Sequence, residues 1–133
     1  MHDNTLPKDL IPREWIKKAY EDELMMRSFL KHRDAPASGV AFHGQQMVEK
    51  LLKSYLVQHR GTYPKIHPLD TLWELCRDVD SSFDEIKEDA VLLTSFYGPT
   101  RYPGDTPELT WPEAEQALAA ALRIKEFVLG KIK

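Results

Sequence analysis

Nitrogen-bearing side chains recur along one stretch of the chain, residues 38–60, at intervals of three and four. At about 100° per residue, a helix would carry them on one arc, opposite an arc of apolar residues. The polar arc holds His43, Gln46, Glu49, Lys50 and Lys53. Imidazole, amide and ammonium groups all donate hydrogen bonds, which suits this face to an anionic ligand such as a phosphate.

A second set of donors lies in the proline-rich residues 98–110. Arg101 offers a planar guanidinium that binds phosphate through two parallel hydrogen bonds, and Tyr102 offers a hydroxyl and a ring for stacking. Because long loops in compact domains are often functional, we expect both side chains to face the nitrogen-rich arc. The alternative is structural: Arg101 pairs with an acid, Asp22 or Glu49, and pins the loop to the fold.

Arg60 and His67 form a third pair, with six residues between them. Such a pair suits RNA cleavage without a metal, because the imidazole removes the 2′-hydroxyl proton and the guanidinium stabilises the charged phosphorane. Gly61 and Pro64 lie between the two residues, so the pair spans a helix end and a loop. The alternative for His67 is a helix-entry residue whose ring bonds backbone groups.

The remaining chemistry-bearing residues fit structural roles. The single cysteine, Cys76, continues the helical spacing of the apolar residues before it, which indicates a core thiol rather than a nucleophile. Trp15, Trp73 and Phe96 also stand at core spacing, which favours packing over base stacking. The five histidines show no metal-ligand spacing, and there is no glycine-rich phosphate loop. We therefore expect no metal and no cofactor.

Helical spacing of apolar residues covers most of the chain, and no segment has the pattern of a strand. We expect residues 1–12 to be a loose lead-in and residues 13–133 to form the domain. The predicted helices are residues 13–32, residues 38–60 between Ser38 and Gly61, a short helix opened by Pro68, a helix capped by Ser82 with Glu85, and a last helix capped by Thr110 with Glu113. The predicted fold is all-α, an up-and-down bundle of four main helices plus a short helix.

Asp22 falls inside the apolar arc of the first predicted helix. One interpretation is a boundary residue that reaches water. The other is a buried carboxylate paired with a cation, because an unpaired buried carboxylate would be costly.

Composition limits the class of protein. The chain has 133 residues with a net charge of −3, which argues against a basic surface for non-specific nucleic-acid binding. A lone cysteine fits a reducing compartment. No apolar run approaches the length of a membrane span or a signal peptide, so we expect a cytoplasmic protein without a membrane partner.

Three stretches together resemble the HEPN domain of prokaryotes. They are FHGQQMVEKLLKSYL at Phe42–Leu56, the His67-Pro68-Leu69 step that opens a helix, and TRYPG at Thr100–Gly104, followed by an alanine-rich helix. The resemblance runs over about residues 13–129. It implies a helical bundle that forms a homodimer and is often encoded with a minimal nucleotidyltransferase partner, as a toxin–antitoxin or stress module. Some members of the family bind nucleotides, and others are metal-independent ribonucleases with an Arg-x4-6-His motif in the C-terminal half, where this chain has no histidine.

The first hypothesis is thus a nucleotide-associated or nucleotidyltransferase-partner module, whose ligand-binding residues are His43, Gln46, Lys50, Lys53, Arg101 and Tyr102. The second is a metal-independent endoribonuclease with His67 as base and Arg60 as phosphate clamp. A scaffold without a ligand is the third.

Overall fold

The computed structural model describes residues 10–96 and 108–132, and the side chains from residue 12 onward. Five α-helices follow one another: α1 Leu10–His32, α2 Ser38–Arg60, α3 Leu69–Val79, α4 Lys87–Phe96 and α5 Trp111–Lys131. A 3-10 helix, Ser81–Ile86, leads into α4. The described part of the chain contains no strand, and the predicted all-α bundle is confirmed.

Helix α1 begins at Leu10, three residues before the predicted start. Pro12 therefore lies inside the first turn, where a missing backbone N–H breaks no intrahelical bond. Residues 10–12 thus belong to the first helix, although the sequence predicts them as the end of the lead-in.

Two pairs of neighbouring helices run antiparallel. Met26 lies beside Gly44 and Trp15 lies beside Lys53, so α1 and α2 run antiparallel, as their short connection predicts. Arg123 reaches Asp89, and Lys131 reaches Asp80, so α4 and α5 are antiparallel too. Helix α2 contacts the other four helices and forms the centre of the bundle.

Gly44 on α2 leaves room for side chains of α1 and α4 to pack against α2. A Cβ atom at this position would lie 3.0 Å from Met26 Cε and 3.3 Å from Leu93 Cδ2. Gly44 is therefore a buried small residue at the point where α2 meets its neighbours. The core on either side of it contains the largest fully buried side chains, among them Tyr55, Phe83, Met26, Met47, Leu51 and Leu93.

Helix ends follow the sequence signals at α5 and at the end of α2. Thr110 Oγ1 accepts from the Glu113 N–H, and the Glu113 carboxylate accepts from the Thr110 N–H, which confirms the predicted capping box. Gly61 ends α2 with a φ of 76°, and its N–H donates to the Val57 carbonyl. Helix α2 begins at Ser38 without a side-chain cap, since Ala37 occupies the cap position.

The predicted cap of the fourth helix is wrong. Asp80, two residues before Ser82, accepts from both the N–H and the hydroxyl of Ser82. These bonds, together with Lys131, lower the pKa of Asp80 to about 2. The cap therefore lies two residues earlier than the Ser82–Glu85 spacing suggests, and a 3-10 helix follows it before α4.

The predicted structural roles of Cys76, Trp73 and Phe96 are confirmed. All three are buried, and Trp73 Nε1 donates to the Phe83 carbonyl. Burial raises the pKa of the Cys76 thiol to about 12. None of the helices described here is long and apolar enough to cross a membrane.

Candidate functional site

A buried carboxylate on α1, Asp22, binds two nitrogen groups of α2. The Lys50 ammonium donates to Asp22 Oδ2 at 2.6 Å, and His43 Nδ1 donates to Asp22 Oδ1 at 2.9 Å. We call these three residues the Asp22 cluster. Of the two interpretations of Asp22, the buried and paired carboxylate is confirmed.

The two nitrogen groups of the Asp22 cluster are more exposed to solvent than the carboxylate that they bind. The Asp22 side chain is 8% exposed, whereas those of His43 and Lys50 are 21% and 23% exposed. A carboxylate only accepts hydrogen bonds, so the shared proton lies on Nδ1 of His43. The cluster therefore presents an imidazole and an ammonium to solvent.

Helix geometry explains why these three residues meet. His43 and Lys50 are seven residues apart, which is two turns, and so they share a face of α2. Asp22 lies opposite them because α1 packs antiparallel to α2. The close approach of the two helices at Gly44 brings the carboxylate within hydrogen-bond distance of both donors.

Aromatic rings flank the Asp22 cluster. Phe42 packs edge-on against the His43 ring with centroids 5.3 Å apart, and Phe29 does so at 5.6 Å. Phe42 is exposed although it is apolar. The surface beside the nitrogen donors is thus partly apolar, a combination that suits a ligand with both an anionic group and a planar ring.

A second buried carboxylate, Glu49, also receives two donors. Its Oε2 accepts from Lys53 Nζ at 2.9 Å and from His67 Nδ1 at 2.7 Å. We call Glu49, Lys53 and His67 the Glu49 cluster. The His67 side chain is 80% exposed, while that of Lys53 is 4% exposed.

Lys53 does not reach the surface, although the helical arc of residues 38–60 predicts a polar face there. Its ammonium lies 5.7 Å from the ring centre of Trp15 and 5.6 Å from that of Tyr63. The two rings also contact each other edge-on. Cation–π attraction and the bond to Glu49 offset the free energy that is lost when the ammonium is removed from water. Lys53 therefore holds Glu49 in place.

The Glu49 cluster has the geometry of an oriented general base. The carboxylate fixes the Nδ1 proton of His67, so in the neutral ring the lone pair on Nε2 is the one available to solvent. The ring bonds a carboxylate and not backbone groups, unlike the structural alternative for His67. Arg60, the other half of the predicted pair, is exposed at the last residue of α2. Within the described residues no ion pair holds it.

The other predicted ligand residues are placed differently. Gln46 lies one turn from both His43 and Lys50 and is partly exposed. Arg101 and Tyr102 lie outside the described residues, so their position relative to the two clusters stays a prediction. Both proposed structural partners of Arg101, Asp22 and Glu49, already accept two donors each.

Sequence reasoning identifies only part of this pairing. The Glu49–Lys53 pair carries a signal, its spacing of four, but that spacing is equally common on solvated helix faces. The Asp22–Lys50 pair joins residues 28 positions apart, and no local pattern points to it. Trp15 and Tyr63, which cover Lys53, were not foreseen as part of the site.

A third buried carboxylate, Glu23, joins α1 to α5 and is separate from the two clusters. It accepts from Lys125 Nζ at 2.7 Å and from Arg27 Nε at 2.9 Å. Burial raises the pKa of Glu23, but the two cations outweigh burial and the net pKa is lowered. This group is a structural link, since both oxygens are occupied by cations.

Comparison with known proteins identifies the class of fold. The chain resembles two solved structures over nearly its whole length. An archaeal HEPN homologue, ST0689, is 27% identical with a TM-score of 0.70, covering 92% of this chain and 98% of the other. TT1696 from Thermus thermophilus is 33% identical with a TM-score of 0.72, covering 90% of this chain and 97% of the other. No curated protein matches the chain.

The family follows from the sequence match. A HEPN domain model matches residues 12–132. The chain therefore belongs to the HEPN domain family, as the resemblance of the three stretches together predicts.

Proposed function

We propose that this HEPN-domain protein binds the phosphate groups of a nucleotide or of RNA at the Asp22 cluster. One observation carries the proposal: two nitrogen groups lie on the solvent side of a carboxylate that is itself shielded. An approaching anion meets donors first, and the buried carboxylate keeps those donors fixed in position.

The cluster has hydrogen bonds to spare. The Lys50 ammonium carries three N–H groups and uses one on Asp22, and the His43 ring has a second nitrogen. The Gln46 amide adds donors from the same face of α2. The exposed Phe42 ring provides a surface on which a base can stack. In this proposal Lys53 is buried and holds Glu49 in position. Arg101 and Tyr102 supply further hydrogen-bond donors.

The test is binding of two probes, fluorescently labelled ATP and a short labelled single-stranded RNA, measured by anisotropy. Lys50→Gln keeps a donor for Asp22 but removes the charge, and we expect it to weaken binding about tenfold. Lys17→Gln is the matched control, because Lys17 is an exposed lysine on the side of α1 that faces α5. Binding of neither probe, or equal loss in both variants, would contradict the proposal.

We further propose that the protein acts as a cytoplasmic homodimer with a minimal nucleotidyltransferase partner, in a toxin–antitoxin or stress system. Family membership supports this proposal. The test is co-expression with a nucleotidyltransferase encoded beside this gene, followed by gel filtration. A stable complex is expected. The absence of such a neighbour, or separate elution of the two proteins, would contradict the partnership.

The Glu49 cluster favours a second candidate function, a metal-independent endoribonuclease. The observation is the exposed His67 ring whose Nδ1 is held by a buried carboxylate. In this mechanism His67 Nε2 removes the proton from a ribose 2′-hydroxyl. The oxygen then attacks the adjacent phosphorus and forms a 2′,3′-cyclic phosphate, and the 5′-oxygen of the next nucleotide leaves and takes up a proton from water. Arg60 stabilises the developing negative charge.

Cleavage of RNA in the presence of a chelator tests this second function. We expect His67→Ala to lower the rate by about a hundredfold or more, the usual worth of a general base. His59→Ala is the matched control, since His59 is an exposed histidine near the end of α2 that is not bonded to Glu49. Activity that survives in His67→Ala would exclude His67 as the base.

A further inference from the structure

A groove of about 910 Å³ lies between α3 and α4, on elements that do not contact α1. The Arg77–Asp84 ion pair crosses it, with Nε to Oδ1 at 2.9 Å and a second bond of 3.3 Å. Since the Asp22 cluster depends on α1, the groove is a separate surface.

The two walls of the groove are apolar, and one of them is rigid. Trp73 supplies one wall, and its ring is fixed because Nε1 donates to the Phe83 carbonyl. Ala90 and Val91 supply the other wall, and Val91 is 58% exposed, the most exposed large apolar side chain described. Val91 thus leaves apolar surface uncovered within the groove, next to an indole that is itself almost fully buried.

The rim of the groove is acidic. Its lining includes four carboxylates and two cations, a formal net charge of −2. One cation, Arg77, is neutralised by Asp84, and the other, Lys87, lies over the Trp73 ring at 5.4 Å. The carboxylates of Asp70, Glu74 and Asp78 are therefore not neutralised by these two cations, and they line the exposed side of α3.

The acidic rim and the apolar walls indicate which kind of molecule the groove binds. The acidic rim repels phosphate, so the groove is unsuited to the ligand proposed for the Asp22 cluster. A complementary molecule needs apolar groups to cover Val91 and Trp73 and cations to reach the rim of α3. A helix with apolar residues on one face and Lys or Arg on its flanks meets both needs, and two adjoining helices form the kind of groove that receives such a helix.

We propose that the α3–α4 groove docks a basic amphipathic helix of a partner protein. The partner's apolar face covers Val91 and the Trp73 ring. Its Lys or Arg side chains pair with Asp70, Glu74 and Asp78.

A labelled amphipathic peptide of leucine and lysine tests the proposal, with a peptide of the same length that carries glutamate in place of lysine as its control. We expect the basic peptide to bind the full-length protein and the acidic peptide not to bind. Glu74→Lys with Asp78→Lys should weaken binding about tenfold. The matched control, Glu14→Lys with Glu126→Lys, changes the net charge equally on exposed helix positions outside the groove and should leave binding unchanged.

Val91→Asn separates the apolar contribution from the charge. It keeps the size of the side chain, and we expect it to weaken binding at least about threefold, since it removes a buried apolar contact. Circular dichroism confirms that each variant is folded. Equal loss in both charge-reversal pairs, binding of the acidic peptide, or an unchanged affinity in Val91→Asn would overturn the proposal. So would dissociation of a homodimer by Glu74→Lys with Asp78→Lys, since the occupant would then be a second copy.

Discussion

At the scale of single residues, two buried carboxylates organise the polar face of the central helix. Asp22 and Glu49 each accept two donors, and each pair of donors combines one ammonium with one imidazole. The carboxylates fix the orientation of His43 and His67. The sequence predicts that this whole arc of the helix faces solvent. In the structure some of its donors reach water, whereas one lysine does not.

The Lys53–Glu49 pair allows a direct stability test. Lys53→Met keeps an aliphatic chain between the rings of Trp15 and Tyr63 but leaves Glu49 buried without its ammonium. We expect a loss of about 3 kcal/mol in the free energy of unfolding, measured by urea denaturation. Lys17→Met, at an exposed position, should change it by less than about 0.5 kcal/mol.

A double variant sharpens this test. Adding Glu49→Gln to Lys53→Met removes the uncompensated charge, so most of the lost stability should return. If the double variant is as unstable as the sum of the two single variants, the two side chains do not interact as described.

The Cys76 thiol makes stability depend on pH in the alkaline range. Its pKa is raised from 9.0 to about 12 by burial, so the folded state retains the proton at pH values where the unfolded chain loses it. This contribution is complete below pH 9 and is lost as the pH rises towards 12. We expect the wild type to lose more stability over this range than Cys76→Ala, measured by urea denaturation at successive pH values.

Reactivity provides the control for Cys76. Iodoacetamide should leave the folded protein unmodified at about pH 8 and modify it fully in urea, because the thiolate is the reactive form. Rapid modification of the folded protein would contradict the burial of this side chain.

At the scale of helices, close contact between α1 and α2 is what brings Asp22 to its donors. Gly44 sets that contact, since a Cβ there would lie 3.0 Å from Met26 Cε. A larger side chain would push α1 away and separate Asp22 from Lys50. The site therefore depends on a residue that carries no functional group.

Replacement of this glycine tests the dependence. We expect Gly44→Leu to destabilise the fold by about 2 kcal/mol through overpacking and to weaken phosphate binding as well. Gly130→Leu is the matched control, because nothing lies within 4 Å of a Cβ at Gly130. Thermal unfolding checks the first effect and anisotropy the second. Normal stability of Gly44→Leu would show that the helices are not as close as described.

The helices themselves were largely predictable from the sequence. The start of the fourth helix and the side-chain pairs between helices were not. Apolar spacing identified the five α-helices of the described residues, and the Thr110–Glu113 cap and the Gly61 stop were predicted correctly because their signals are local. The start of the fourth helix was misjudged because Asp80, and not Ser82, supplies the cap, and the turn that follows is a 3-10 helix. The pairing of Asp22 with Lys50 depends on how two helices face each other, which helical periodicity does not specify.

At the scale of the whole molecule, one face of the bundle suits the proposed homodimer. Tyr20 and Leu24 on α1 are exposed, and Leu129 on α5 is exposed as well. Tyr20 and Leu129 also line a small cavity of about 170 Å³ between α1 and α5. This apolar face is formed by α1 and α5, whereas the Asp22 cluster is formed by α1 and α2.

A charge on this face tests the dimer. We expect the wild type to sediment as a dimer and Leu24→Glu as a monomer, because the new carboxylate would be buried against the partner copy. Val91→Glu, which places the same charge at an exposed valine on α4, is the control and should remain dimeric. A monomeric wild type would contradict the proposed homodimer.

The most direct test of the account is where phosphate binds. In a two-dimensional NMR titration of the wild-type protein with ATP and with a short RNA, we predict that the largest shifts fall on residues 42–50 and on Asp22. Lys50→Gln should need about tenfold more ligand to reach the same shifts, whereas Lys17→Gln should not. Shifts that concentrate elsewhere, or no shifts with either probe, would contradict a phosphate site at the Asp22 cluster and favour a scaffold without a ligand.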